Sequence, residues 1–189
     1  CANTAELIQT IVNIAPTFGG INLEDIAAPQ CFEVEIAVQK QLKIPVFHDD
    51  QHGTAIVTAA GLLNALEIQH KLIEHTRIVC VGAGAAGIAC MNLLLELGAK
   101  KELMTLVDSQ GIVTTQRTDV NVYKQAFARD TQKTTLADAM ENADVFLGVS
   151  GKDILTPDML TSMASNPIVF AMANPDPEID PKLAHKTRQ

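Results

Sequence analysis

Short, almost wholly apolar runs alternate along this chain with longer stretches in which apolar residues return every three or four positions. The runs at 44–47, 78–81, 103–107, 143–149 and 168–172 predict strands. A further brief strand is expected at 15–18, just before Gly19-Gly20. Helical spacing covers 5–14, 32–42, 55–66, the Ala/Leu-rich segment that ends at Gly98, 120–128, 135–142 and 156–164. Pro29 suits the first turn of one helix, and Thr156-Pro157-Asp158 reads as an N-cap followed by Pro at the first helical position. The 55–66 segment is apolar on most sides, so it is expected between layers. Strand and helix alternate throughout. That pattern predicts an α/β fold, a doubly wound and mostly parallel sheet of Rossmann type, with right-handed crossovers and helices on both faces. The polar stretch 67–76 is the best internal boundary.

The strand at 78–81 leads into Gly82-Ala83-Gly84-Ala85-Ala86-Gly87, a G-x-G-x-x-G turn, and then directly into a helical pattern. Gly82 permits the tight turn, Gly84 lets the backbone approach a pyrophosphate, and Gly87 lets the helix pack on the strand. The next strand ends in Asp108, about 20 residues past the last glycine, where an acid binds ribose hydroxyls. Strand, turn, helix, strand and acid in order point to a dinucleotide rather than a chance glycine-rich turn. The carboxylate of Asp108 favours NAD, because it repels a 2′-phosphate. Ser109 and Gln110, with Arg117 nearby, can also turn toward such a phosphate.

Composition narrows the class. Of 189 residues, 47% are hydrophobic and 19% charged, which suits a sizeable core and excludes disorder. A formal net charge of -8 argues against nucleic acid and anionic membranes as partners. No apolar run approaches the ~18 residues needed to span a bilayer. The cysteines Cys1, Cys31, Cys80 and Cys90 form no C-x-x-C pair. Cys80 and Cys90 read as small buried hydrophobes in a reducing cytosol, so a cytoplasmic protein is expected. Cys1 and the Lys-Thr-Arg-Gln terminus suggest a piece of a longer chain.

In such a sheet, ligands collect beyond the carboxyl ends of the strands. Polar residues mark four further exits: Glu24-Asp25, His48-Asp49-Asp50, Ser150-Gly151 and Asn174-Pro175. The carboxylates are hard oxygen donors that suit Mg²⁺ or Mn²⁺. Each acid pair can instead cap a helix, Asp25 ahead of Ile26 or Asp50 ahead of a helix over 53–66. His48 and His52 read more readily as hydrogen-bonded or exposed neighbours than as metal ligands. Ser150 can turn the chain or lie along the nicotinamide ribose. Asn174 can form a turn or bind a carboxylate or the cofactor through its amide.

Several stretches resemble the bacterial malic enzymes: T-F-G-G-I-N-L-E-D-I at 17–26, P-Q-C-F at 29–32, I-P-V-F-H-D-D-Q-H-G-T-A at 44–55, G-A-G-A-A-G-I-A at 82–89 and F-A-M-A-N-P-D-P-E at 170–178. The resemblance runs over essentially the whole chain, and the F-H-D-D-Q-H-G-T-A stretch is its most specific part. It implies oxidative decarboxylation of (S)-malate to pyruvate and CO₂ with reduction of NAD or NADP. By the same resemblance Glu24, Asp25 and Asp50 are metal ligands and Asp49 supports the catalytic base. Residues 83–86 form the pyrophosphate loop, and Asn174 lies near malate and nicotinamide. Residues 1–70 then form the end of a substrate- and metal-binding region with its connecting helix, and 71–189 the NAD(P)-binding domain, incomplete at its C-terminal end. The lysine base and tyrosine acid of the family match no position here. Tyr123 lacks the motif, and the fragment alone is expected to be inactive. Related enzymes often carry Lys at the position of Gln110, which weighs against NADP. Malate and further copies of the chain, as a homo-oligomer, are the expected partners. The competing expectations are a metal-independent dehydrogenase of similar fold and a non-catalytic nucleotide-binding module.

Overall fold

The computed structural model describes residues 3–188. Two sheets carry the fold, the smaller parallel and the larger mostly so. The smaller pairs β1 (Ile21–Leu23) with β2 (Val46–His48), in the register Leu23 to His48. Helices α1 (Thr4–Ile14) and α2 (Gln30–Gln41) pack against each other beside it, and Ile11, Leu23, Val34 and Val38 form its core. The larger sheet has five strands, β3 (Ile78–Val81), β4 (Met104–Asp108), β5 (Gly111–Ile112), β6 (Val145–Gly148) and β7 (Ile168–Ala171). Their order is β5-β4-β3-β6-β7, and only β5 runs antiparallel to its neighbour.

Every residue of β3 and β6 is buried, so both faces of the sheet are covered. On one face Ile78 and Cys80 meet α3 (Thr54–Ile68) and α4 (Ala85–Glu96) through Leu62, Leu66, Met91 and Leu94. On the other, Val79, Val81 and Phe146 meet Met140, Leu155, Leu160 and Met163. Those residues belong to α6 (Leu136–Met140), α7 (Pro157–Ser162) and their flanking loops. Burying each Leu- or Met-sized side chain contributes about 1.5–3 kcal/mol, so this two-sided core fixes the strand order. The long apolar helix α3 is not enclosed between layers as its pattern predicts: Ala55, Ala59, Leu62 and Leu66 face the core, while Ile56, Val57, Leu63 and Ile68 on its other face are exposed. Cys31, Cys80 and Cys90 are free and buried. Cys1 lies outside the described residues. No helix among them is long and apolar enough to cross a membrane.

Two further expectations change. The strand expected at 15–18 is a 3-10 turn at Ala15–Thr17, because Pro16 seats itself in its first turn and the Thr17 hydroxyl donates back to the Ile14 carbonyl. The strand forms after the glycines instead. The helix expected at 120–128 shrinks to α5 (Val122–Gln125), started by the Asn121 side chain accepting from two backbone N–H groups. Residues Asp49–Gly53 form a π-helical turn that runs into α3. A last helix, α8 (Pro181–Thr187), follows an Asp180 cap.

Candidate functional site

Each of the three glycines does a different job at the carboxyl end of β3. Gly82 has φ of +113°, and a Cβ there would come within 2.5 Å of the Val149 carbonyl oxygen. A Cβ on Gly87 would lie 1.8 Å from the Gly82 carbonyl oxygen, so the helix can approach the strand only with glycine at this point. Gly84 caps α4 with no side-chain hydrogen bond, and a Cβ there would meet nothing within 4 Å. The first-turn N–H groups that follow it, in the Ala85-Ala86-Gly87 turn, have no partner within the helix. That is the arrangement that receives a phosphate. A cavity of about 580 Å³ opens there, lined by Gly82, Ala83, Gly84, Asp108, Ser109 and Ser150. The exits of β3, β4 and β6 thus converge, as the strand pattern predicts. Asn174 stands exposed at the neighbouring exit of β7, outside this lining.

Asp108 is more constrained than a free ribose acceptor. Arg117 donates to both of its oxygens at 2.8 and 3.0 Å, and Lys124 donates at 2.7 Å. The Gln110 N–H also donates, at 3.0 Å. Asp119 pairs with the same guanidinium, so two carboxylates balance two cations at this corner. Burial acts to raise the Asp108 pKa, but the hydrogen bonds, that from Arg117 first, outweigh it and bring it down to about 2. The folded-state pKa is thus depressed from 3.8, so the stabilisation is complete above about pH 4 and is lost as pH falls toward 2. Thermal melts of the wild type and Asp108→Asn should converge as pH drops through that window. A gap that stays constant from pH 5 to 2 would contradict the pairing.

The acid pairs hang from one edge of the small sheet. Leu23 and His48 are in register, so Glu24-Asp25 and Asp49-Asp50 leave β1 and β2 side by side. Asp25 adopts a left-handed conformation, φ 57°, and its N–H donates to Asp50 Oδ2 at 2.9 Å. Neither acid caps a helix: Pro29 and Gly53 hold those positions for α2 and α3, without side-chain hydrogen bonds. The Asp49 carboxylate lies over Gly53, where a Cβ would come within 2.3 Å of Oδ1. Among the described residues no three His, Cys, Asp or Glu side chains are grouped to hold a metal ion. The placement on one edge and the hard-oxygen donor set of Glu24, Asp25 and Asp50 fit a divalent cation in chemistry. Ala28, just beyond Asp25, lines the cofactor cavity, so acid edge and cleft adjoin.

The histidines divide. His52 Nε2 lies 2.7 Å from Glu35 Oε1, over a buried carboxylate that also accepts from Gln39 and Gln51. His48 is fully buried with no partner for either ring nitrogen, so it is neither exposed nor hydrogen-bonded as expected. Tyr123 packs on Phe32 with ring centroids 4.2 Å apart, which explains its presence without chemistry. Two residues at the cleft went unread in the sequence. Lys124 gave no motif. Glu178 stood inside the 170–178 stretch, and its signal was an acid between a proline and a buried isoleucine.

Residues 51–187 match the family described as "Malic enzyme, NAD binding domain". The NADP-dependent malic enzyme of Halomonas elongata is 59% identical over 181 residues, covering 96% of this chain and 43% of that protein. The NAD-dependent malic enzyme of Geobacillus stearothermophilus is 52% identical over 186 residues, covering 96% and 38%. The crystal structure of the NAD-dependent malic enzyme from Thermotoga maritima superposes with a TM-score of 0.92 at 40% identity, over 99% of this chain and 51% of that one. That of the Entamoeba histolytica malic enzyme gives 0.94 at 36% identity, over 99% and 40%. The chain therefore spans less than half the length of these curated relatives.

Proposed function

Because this chain belongs to the malic enzyme family and contains its NAD-binding domain, we propose that the protein it represents oxidatively decarboxylates (S)-malate to pyruvate and CO₂, reducing NAD or NADP. In that reaction C2 of malate gives up a hydride, its hydroxyl gives up a proton, and the resulting keto acid loses CO₂ and is protonated at C3. The first-turn N–H groups of α4 hold the pyrophosphate, and the Asp108 corner meets the adenosine ribose. That corner carries balanced charge, so it accepts either nucleotide, and the preference for NAD that Asp108 alone suggests loses its basis. Ser150 and Asn174 flank the nicotinamide half, with the Asn174 amide toward a malate carboxylate. Glu24, Asp25 and Asp50 hold Mg²⁺ or Mn²⁺, and Asp49, fixed over Gly53, supports the base that takes the hydroxyl proton. When bound, the cation supplies charge that polarises the C2 oxygen, and the nicotinamide supplies the hydride acceptor. Association of copies into a homo-oligomer belongs to the same proposal.

The observation that carries this reading is the Asp25 to Asp50 hydrogen bond, which joins two acid pairs beside the cofactor cleft. Full-length protein titrated with malate, Mn²⁺ and each nucleotide should form NAD(P)H and stop when the metal is chelated. No NAD(P)H under any combination would sink the proposal. A second reading, a metal-independent dehydrogenase of similar fold, draws on the lack of a three-carboxylate grouping among the described residues. Undiminished turnover in excess chelator would favour it.

A further inference from the structure

We infer that Glu178 is a positioning residue for the nicotinamide half of the cofactor, an inference that rests on the cofactor reading above. Its side chain is fully buried, and its carboxylate joins two strand exits. One oxygen accepts from the Ser150 N–H at 3.0 Å and from the Ser150 hydroxyl at 3.4 Å. The other accepts from the Ala173 N–H at 3.1 Å. Ser150 leaves β6 into the cofactor cleft, and Ala173 precedes Asn174 at the exit of β7. The carboxyl group lies directly on the last residue of β6, because a Cβ on Gly148 would come within 2.3 Å of its Cδ. The Glu178 carbonyl also accepts from Leu155 at 2.9 Å, tying down the far end of the 150–155 loop.

A buried carboxylate is an expensive way to join two loops if packing is the only aim, since its desolvation is offset only by the donors it meets. Among the described residues no Lys or Arg pairs with Glu178. Backbone N–H and hydroxyl donors from two strand exits do the work. What the carboxylate provides is a fixed separation between those exits, set by the spacing of its own oxygens. The strand order locates the consequence. Successive strands are added outward from β3 on one side as β4 and on the other as β6, and a dinucleotide lies across such a fold at this switch point. Asp108, at the exit of β4, marks the adenosine side. The exits of β6 and β7 therefore border the nicotinamide side, and Glu178 fixes their spacing from beneath without touching the ligand.

The test compares whole cofactor with half of it. Glu178→Gln keeps shape and one acceptor but turns an amide N–H toward a backbone donor. In the full-length protein it should raise the Kd for NAD(P)⁺ roughly 10–100-fold, as expected for a lost hydrogen bond to a charged group, while leaving the Kd for ADP-ribose within a factor of two. Gly148→Ala, which displaces the carboxylate with Glu178 intact, should give the same split and serves if the first variant does not fold. Equal losses for both ligands would reduce Glu178 to a structural residue, and an unchanged NAD(P)⁺ affinity would remove its role altogether. A wild type that binds neither ligand overturns the cofactor reading and this inference together. A wild type that binds both yet forms no NAD(P)H from malate and Mn²⁺ overturns the malate reading alone.

Discussion

Gly87→Ala should destabilise the protein by about 1–3 kcal/mol or more and abolish nucleotide binding, although alanine is the better helix former by about 1 kcal/mol. The reason is the 1.8 Å approach of the added Cβ to the Gly82 carbonyl oxygen. The obstacle is backbone, which cannot swing aside as a side chain would. Relief requires lifting α4 off β3, and that displaces the N–H groups proposed to cradle the phosphates. Gly84→Ala isolates the second effect. Its Cβ enters open space, so the fold should keep its stability within about 0.5 kcal/mol while the methyl occupies the approach to the pyrophosphate. Paired thermal melts and nucleotide titrations distinguish the two. If Gly87→Ala melts at or above the wild-type temperature, the packing role assigned to this glycine is wrong.

Asp50→Asn should lower the affinity for Mn²⁺ by about 100-fold or more, given that even groups hydrogen-bonded to a metal ligand change affinity 10–100-fold when lost. Asparagine is the informative replacement. Its amide oxygen can still accept the Asp25 N–H, which Asp50 Oδ2 now receives at 2.9 Å, so the edge keeps its shape while losing one negative charge. Nucleotide affinity should stay at the wild-type value, because the phosphate-binding turn does not involve Asp50. Turnover at saturating Mn²⁺ should partly recover if the loss is one of metal affinity. Metal affinity unchanged in the variant would remove Asp50 from the ligand set and move the weight to the metal-independent reading.

The elements legible in the sequence are those written in local periodicity. The strands at 78–81 and 103–107 and the glycine turn are readable because burial on both faces leaves continuous apolar runs and because close approach demands glycine at fixed spacing. The 55–66 segment is readable as a helix but not as a half-exposed one, because Ile56, Val57 and Leu63 are apolar and yet face outward. The small strand β1 was misplaced, since three residues carry too little pattern to outweigh the Pro16 turn before them. The site itself was legible as a set of strand exits but not as a set of contacts. Asp50 meets Asp25 across 25 residues, Glu178 meets Ser150 across 28, and Lys124 meets Asp108 across 16. No periodicity links such pairs, because folding alone brings them together. Asp108 shows the limit: its type and position follow the ribose-binding pattern, yet its charge is shared with two cations that a linear reading cannot assign.

The π-helical turn at Asp49–Gly53 continues into α3 without a break, and both pack on α4. The turn that carries Asp49 and Asp50 and the helix that follows the glycine turn are therefore packed as one block. The loops after β6 and β7 form the opposite bank and share the buried Glu178 carboxylate. Hydrogen exchange should then show the hydrogen-bonded amides of α4 from Ile88 onward and the backbone of residues 49–53 opening together, and those of 150–154 opening on their own schedule.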